Sequence, residues 1–136
     1  MHKGFLKTAC ILAALAVALG AFGAHTLKNY VSNNALATFE TGVRYQVYHV
    51  FALLVTAILY KDFSGGTTKI AGWLFIAGII LFSGSLYMMA VLQATVQPGF
   101  RWIGAITPLG GICFIAGWLF LLGSVFKKGV STRPAK

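Results

Sequence analysis

Acidic residues are almost absent from this chain. Among 136 residues only Glu40 and Asp62 are acidic, against eleven lysines and arginines, so the formal net charge is +9. Charged residues make up 10% of the sequence, whereas soluble domains carry about 25%. The sequence also contains no paired carboxylates, no HExxH zinc motif and no glycine-rich phosphate loop. These absences exclude an ordinary soluble domain and argue against catalysis, and we predict a protein that is not an enzyme.

Cysteines and histidines, the usual metal ligands, are scarce. Cys10 and Cys113 lie inside apolar runs and form no CxxC motif, so we interpret both as small buried hydrophobic residues. Three histidines and two carboxylates provide a poor ligand set for a metal. A bis-histidine haem site is disfavoured because we expect His25 and His49 to differ in depth by about 9 Å along their helices. The sequence therefore predicts no metal, haem or other cofactor.

What the chain does contain is apolar sequence, which makes up 58% of its residues. A bilayer core about 30 Å thick requires about 20 consecutive apolar residues in a helix, and four stretches meet that length. They predict helices at about 5–24, 35–60, 70–92 and 102–126, of which the second exceeds the core and is expected to start at the membrane interface. The predicted fold class is all-α: a single integral-membrane four-helix bundle, up-and-down, over 1–126.

The first apolar run has an alternative interpretation as a secretory signal peptide. Lys3 and Lys7 precede it, and Ala21-Phe22-Gly23 offers a small-residue cleavage site. The run continues almost to His25 and is long enough to span a membrane, so we expect it to be retained. With four spans, the two termini lie on the same side of the membrane.

The distribution of basic residues predicts the orientation. Both termini and the connector at 61–69 share one side, which carries eight of the eleven lysines and arginines, while Lys28, Arg44 and Arg101 lie on the other. The positive-inside rule then places the N- and C-termini in the cytoplasm. A basic tail at 127–136 is expected to lie on anionic lipid headgroups. Because the basic residues flank the apolar runs, we expect no nucleic-acid partner.

Small residues within the apolar runs predict close helix packing. Ala16, Gly20 and Ala24 recur at every fourth position of the first helix, a spacing that lets helix backbones approach in lipid. Glycines of the third and fourth helices have the same interpretation. They are Gly72, Gly78, Gly84, Gly104, Gly110, Gly111 and Gly117.

The segment Thr-Pro-Leu-Gly-Gly at 107–111 is expected to interrupt the fourth helix. Proline removes a backbone donor and clashes with the carbonyl group four residues earlier. We therefore predict a helix kink at Pro108, Gly110 and Gly111, with a locally opened backbone near Gly104.

Polar residues inside the predicted spans gather at one depth, toward the non-cytoplasmic end. Such residues are costly in a membrane and are therefore candidates for function. Together they predict a pocket that opens outward and suits an anionic headgroup, a small metabolite or a proton. The candidate pocket residues are His25, Glu40, Arg44, Tyr45, Gln46, His49, Ser85, Tyr87 and Thr107.

These residues also have purely structural interpretations. Glu40 and Arg44 are spaced for an ion pair on one helix face, which would fix the start of the second helix. His25 is then a helix-end residue that meets headgroups or a carbonyl group, and His49 makes one hydrogen bond to a neighbouring helix. Two serines are expected to bond to carbonyl groups of their own helix, Ser83 and Ser85.

Four motifs in order carry a family likeness: Gly-Ala-Phe-Gly-Ala-His at 20–25, Phe-Glu-Thr-Gly-Val-Arg-Tyr-Gln with Tyr-His at 39–49, Gly-Ser-Leu-Tyr at 84–87, and the segment at 107–111. The chain resembles the YgdD/YwdK family of small bacterial membrane proteins, a domain of unknown function. The resemblance covers nearly the whole chain. It implies four transmembrane helices and residence in a bacterial plasma membrane, but no activity and no functional residues.

Three functional hypotheses follow, of which the third, an enzyme acting on lipid, needs a nucleophile or metal next to a base that the sequence does not clearly show. In the first, the protein binds or transports a small solute, a proton or a lipid headgroup through the outward-facing polar pocket. The alternative is a structural or accessory subunit that packs against a membrane partner. The expected partners are the lipid bilayer with its anionic headgroups, and either further copies of the chain in a small homo-oligomer or a larger membrane protein.

Overall fold

A computed structural model describes residues 1–94 and 101–131, which form helices and short connections. Helix α1 covers Lys3–His25 and α2 covers Asn33–Leu59. The third span consists of α3 (Gly66–Gly78), a π-helical turn and α4 (Gly84–Ala94). Helix α5 covers Ile106–Ser131. Four helical stretches are long and apolar enough to cross a membrane, which confirms the predicted all-α membrane fold.

Polar groups at the start of two helices fix where these helices begin. Ser32 accepts a hydrogen bond of 3.3 Å from the backbone N–H of Ala35 and is therefore the N-cap of α2. His2 does the same for α1, because its Nδ1 accepts from the N–H of Phe5 at 3.2 Å. The backbone N–H of His2 also donates to the carbonyl oxygen of Ala57 at 2.8 Å. The start of the chain is therefore bonded to the end of α2.

The helices are arranged around a central pair, α2 and the third span. Helix α1 packs against α2, and α5 packs against α3 and the π-helical turn. The central pair is accordingly the most buried, while α1 and α5 lie outside it and leave more of their surface exposed. A core of apolar side chains joins all four spans toward the end of the protein where the chain begins.

Aromatic rings placed on glycines produce the close packing that the small residues predicted. The ring of Phe5 covers Gly72, and the ring of Phe114 covers Gly78. Gly110 faces the backbone of Phe82, so that a Cβ atom at this position would overlap main-chain atoms. Glycine has no side chain to hold two helices apart. This matters in lipid because van der Waals packing drives helix association there. Three glycines differ from the prediction: a Cβ atom would meet nothing within 4 Å at Gly84, and only ordinary contacts of 3.7 and 3.9 Å at Gly104 and Gly111.

Pro108 lies at the start of α5 and does not interrupt the helix. It is the third residue of α5, in the first turn, where a backbone N–H has no partner within the helix and its loss costs little. The backbone change predicted near Gly104 is a 3₁₀-helical turn at Arg101–Ala105 that leads into α5. Neither Gly110 nor Gly111 interrupts the helix, and Gly110 serves the contact with Phe82 instead.

The irregular backbone lies in the third span, where no interruption was predicted. Ile79–Ser83 form a π-helical turn between α3 and α4, and the N–H of Gly84 bonds to the carbonyl group of Ile79, five residues earlier. One further difference concerns the end of the fourth span. Helix α5 continues to Ser131, five residues into the predicted tail at 127–136, and the rest of that tail lies outside the described residues.

Candidate functional site

Gln46 is the most connected of the predicted pocket residues. Its side chain is 2% exposed, and its Nε2 donates to the backbone carbonyl oxygen of Leu12 in α1 at 2.9 Å. Its Oε1 accepts a hydrogen bond of 2.8 Å from the hydroxyl group of Tyr87 in α4. One side chain of α2 therefore bonds to two other helices. In a membrane, where water does not compete, such bonds hold helices together.

Ser85 and Thr107 form a second closed pair, between the third and fourth spans. Their hydroxyl oxygens lie 2.7 Å apart, and Ser85 also donates to the carbonyl oxygen of Phe82 at 2.9 Å. The bond to Phe82 confirms the prediction that Ser85 uses a carbonyl group of its own helix. Thr107 then donates to Ser85, because the single hydroxyl proton of Ser85 is already used.

Ser83 behaves differently from Ser85. It belongs to the π-helical turn, is completely buried, and its Oγ has no hydrogen-bond partner. The predicted bond to a carbonyl group of its own helix is therefore not formed. Regular spacing of carbonyl groups is what offers a serine its acceptor in an α-helix, and the wider π-helical turn changes that spacing.

His49 lies one helical turn from Tyr45 on α2, and 7% of its surface is exposed. Its Nδ1 is 2.8 Å from the carbonyl oxygen of Tyr45. Because a carbonyl group only accepts, Nδ1 carries the proton and donates. The bond is to its own helix and not, as predicted, to a neighbouring one. Nε2 makes no hydrogen bond to a described residue. It is not enclosed either, since Ser83 Oγ is the one fully enclosed N or O atom without a partner among the described side chains.

Aromatic side chains surround His49. The imidazole stacks on the ring of Phe114 in α5, with centroids 3.4 Å apart and planes 7° apart. Tyr45 precedes His49 by one turn of α2, and Trp118 follows Phe114 by one turn of α5. Because α2 and α5, as the second and fourth spans, run in the same direction, the two rings lie on opposite sides of the imidazole along the membrane normal, with centroids 6.1 and 6.4 Å from it. Both are exposed in part, at 38% and 48%. We call this group the His49 cluster; its members are Tyr45, His49, Phe75, Phe82, Phe114 and Trp118.

The remaining predicted residues are not part of these contacts. His25, Glu40 and Arg44 are all exposed at the protein surface. The carbonyl oxygen of His25 accepts from the side chain of Asn29 at 3.2 Å. In the part of the chain that the structure describes, no ion pair joins Glu40 to Arg44. The nine residues thus separate into two closed hydrogen-bonded groups, the His49 cluster and three surface residues, instead of lining one pocket.

Several residues of the site were missed at the level of the sequence. The rings at positions 75, 82, 114 and 118 look like ordinary lipid-facing residues, because a single sequence does not show which helix face meets another helix. His2 was missed because histidine is not among the usual N-cap residues. No group of three His, Cys, Asp or Glu side chains within 1–94 and 101–131 is placed to hold a metal ion.

Comparison with known proteins decides the family. Residues 19–111, more than half of the chain, match the family described as "Protein of unknown function (DUF423)". The chain belongs to the DUF423 family. All four motifs, at 20–25, 39–49, 84–87 and 107–111, and all nine candidate pocket residues fall within the matched residues.

Relatives of this DUF423 protein cover nearly its whole length. YwdK of Bacillus subtilis, a UPF0382 membrane protein, is 48% identical over 111 residues, covering 81% of this chain and 85% of the relative. A UPF0382 membrane protein of Staphylococcus aureus is 43% identical over 129 residues, covering 92% and 97%. No solved structure matches. These relatives confirm the predicted family and, with the four apolar helices, a multi-pass protein of the bacterial cell membrane.

Proposed function

We propose that this protein binds a small ligand that reaches it through the bilayer and contacts the His49 cluster. The observation that carries the proposal is the unpartnered, unenclosed Nε2 of His49. An ionisable side chain inside a membrane span is costly and generally marks a functional site. Here it lies between aromatic rings that are themselves partly exposed, so a ligand can approach it from the side. The proposal includes no catalytic step.

The hydrogen bonds among the candidate pocket residues favour ligand entry from the bilayer over a path that carries solutes across the membrane. Gln46, Tyr87 and the carbonyl group of Leu12 satisfy one another, and Ser85 is paired with Thr107. A solute that crossed here would have to replace these bonds in surroundings that offer few other partners. Entry from the bilayer to His49 leaves them intact.

The depth of His49 restricts what the ligand can be. His49 precedes the end of α2 at Leu59 by about ten residues, or about 15 Å at 1.5 Å per residue. Lys61 and Asp62 follow directly and mark the membrane interface. Since the bilayer core is about 30 Å thick, the imidazole lies near its middle. A charged ligand is expensive at that depth, so the ligand is neutral.

We further propose that both chain termini are cytoplasmic. The exposed lysines Lys3, Lys7, Lys61 and Lys69 lie on the side where α1 begins and α2 ends, and positive residues accumulate on the cytoplasmic side of membrane proteins. The opposite end of the protein, which carries the 3₁₀-helical turn Leu27–Asn29, then faces outward.

Co-purification tests ligand binding at His49. The wild type, His49→Phe and His25→Ala are extracted from bacterial membranes into lipid nanodiscs, and bound small molecules are identified by native mass spectrometry. Phenylalanine keeps a ring to stack on Phe114 but has no acceptor, whereas His25 is exposed and outside the cluster. We expect one neutral molecule on the wild type and on His25→Ala, and its loss from His49→Phe. Equal occupancy of all three proteins, or no molecule on any, would rule out the proposed site.

A second candidate function, an accessory subunit that packs against a membrane partner, is supported by α1. Ala14, Ala18 and Ala21 are exposed on this outer helix, and small residues are common where helices meet in membranes. The variant Ala18→Leu would obstruct such a contact while leaving the buried face of α1 unchanged. A smaller complex on a native gel would favour the accessory function, and an unchanged size would count against it.

A further inference from the structure

We infer that the ligand at the His49 cluster is a quinol, meaning a neutral hydroquinone headgroup on an apolar tail, with one hydroxyl group donating to Nε2 of His49. This inference rests on the proposed function, which requires only some neutral ligand at His49. Three properties of the site lead to it: Nε2 of His49 accepts a hydrogen bond, the site lies deep in the membrane, and aromatic side chains surround it.

The free ring nitrogen of His49 is a hydrogen-bond acceptor, so the ligand must provide the donor. Nδ1 of His49 gives its proton to the carbonyl oxygen of Tyr45. Nε2 of the neutral ring is therefore an acceptor, and no described residue donates to it. A ligand that completes the site must bring an O–H or N–H group. Molecules that only accept, such as esters and ketones, would leave Nε2 unpaired.

The depth excludes the headgroups of ordinary phospholipids. These are charged and stay at the membrane surface, whereas His49 lies about 15 Å from the end of α2. A quinol is neutral, and its apolar tail lets it move within the bilayer core. It can therefore bring a hydroxyl group to the middle of the membrane.

The aromatic side chains suit a flat ring. Tyr45 and Trp118 expose 38% and 48% of their surfaces and lie on opposite sides of the imidazole along the membrane normal. Aromatic pairs in offset-stacked or edge-to-face geometry gain stability beyond the burial of area. A hydroquinone ring held by His49 would pack against one or both of these side chains, whereas an aliphatic alcohol would not gain this contribution.

The oxidised form offers a sharp comparison, because a quinone has carbonyl groups where the quinol has hydroxyl groups. It has nearly the same shape and tail but no proton to donate to Nε2. Leaving a buried acceptor unpaired weakens binding, by about fivefold to a hundredfold when the usual cost is converted to an affinity ratio. A quinol whose hydroxyl groups are methylated lacks the donor in the same way, and it cannot be oxidised.

The test is a binding measurement with three probes: a decyl-substituted hydroquinone, its quinone and its dimethyl ether. Each is titrated without oxygen into wild-type protein in nanodiscs of phosphatidylglycerol and phosphatidylcholine, and native mass spectrometry gives the occupied fraction. We expect the hydroquinone to bind at least about fivefold more tightly than the other two probes. His49→Phe should abolish the difference, and His49→Gln, which restores an acceptor, should recover part of it.

The possible outcomes separate the two proposals. If the three probes bind equally to the wild type, or none binds, while a His49-dependent molecule still co-purifies, the quinol is wrong and the proposed function stands. If no His49-dependent molecule is found in either experiment, both fail. A monodisperse elution profile and native helix content for His49→Phe and His49→Gln exclude misfolding as the cause of a lost difference.

Discussion

The hydroxyl group of Tyr87 in α4 donates a 2.8 Å hydrogen bond to Oε1 of Gln46 in α2. Because Nε2 of the same glutamine donates to the carbonyl oxygen of Leu12 in α1, this relationship links three of the helices through one side chain. The ring of Tyr87 also packs on Gly42, where it takes the space that a Cβ atom would fill. Packing and hydrogen bonding therefore act together at this position.

The bond between Gln46 and Tyr87 should be measurable as a coupling energy. We expect Tyr87→Phe and Gln46→Leu each to destabilise the protein, and the double variant to lose less than the sum. Hydrogen bonds between membrane helices average about 0.6 kcal/mol and reach about 1.7 kcal/mol in double-mutant cycles. Unfolding in mixed micelles gives the four free energies. A coupling of zero would mean that the two side chains do not bond in the membrane.

Substitutions of two adjacent glycines of α5 provide a matched pair of variants that tests the packing between the third and fourth spans. A Cβ atom at Gly110 would overlap backbone atoms of Phe82, which cannot move aside, whereas at Gly111 the nearest atom of Phe82 is an ordinary 3.9 Å away. We expect Gly110→Ala to destabilise the protein by about 1–3 kcal/mol or more. Gly111→Ala should change little, and removal of a helix glycine adds a small gain. Equal effects of the two substitutions would contradict the described contact.

Ser83 and Ser85 differ by two positions and should respond oppositely to alanine. Ser83→Ala removes a buried hydroxyl group that has no partner, so we expect stability to stay the same or rise by about 1 kcal/mol. Ser85→Ala leaves Thr107 without its 2.7 Å contact and should lower stability by about 1 kcal/mol. The same unfolding measurement serves both variants. A loss of stability in Ser83→Ala would show that this hydroxyl group has a partner in the membrane.

Much of the fold could be predicted because the membrane imposes it. A bilayer core of fixed thickness requires long apolar helices, and the four predicted spans agree with the structure to within a few residues. The N-cap at Ser32 was predictable as well, because its side chain acts on its own helix. The π-helical turn at Ile79–Ser83 was not, since five apolar or small residues in a row carry no signal for a wider turn.

The candidate site could be predicted only in part. Depth along a helix follows from counting residues, so Gln46, Tyr87 and His49 were recognised as polar residues inside the spans, although His49 lies nearer the middle of the membrane than the predicted outward-facing pocket. Direction around the helix requires the neighbouring helices, so the sequence did not separate Gln46, which faces α1 and α4, from His49, which faces α5. Exposure of Glu40 and Arg44 likewise depends on packing that a single sequence does not contain.

The proposed orientation predicts which added cysteines react from outside the cell. In a background without Cys10 and Cys113, we expect Tyr30→Cys to react in intact cells with a maleimide that cannot cross the membrane. Ser64→Cys, in the connector between α2 and α3, should react only after the membrane is opened. Both positions are exposed, so access depends on the side of the membrane. The reverse pattern would place the termini outside the cytoplasm, against the positive-inside rule.

The availability of His49 Nε2 is tested most directly by nitrogen NMR of the labelled histidine in lipid nanodiscs. His25→Ala and a substitution of His2 leave His49 as the one histidine, so its two ring nitrogens are assigned without overlap. We predict a proton on Nδ1, held by the carbonyl group of Tyr45, and an unprotonated Nε2 whose resonance shifts when the hydroquinone is added. A proton on Nε2, or a resonance that no added ligand moves, would contradict a binding site at His49.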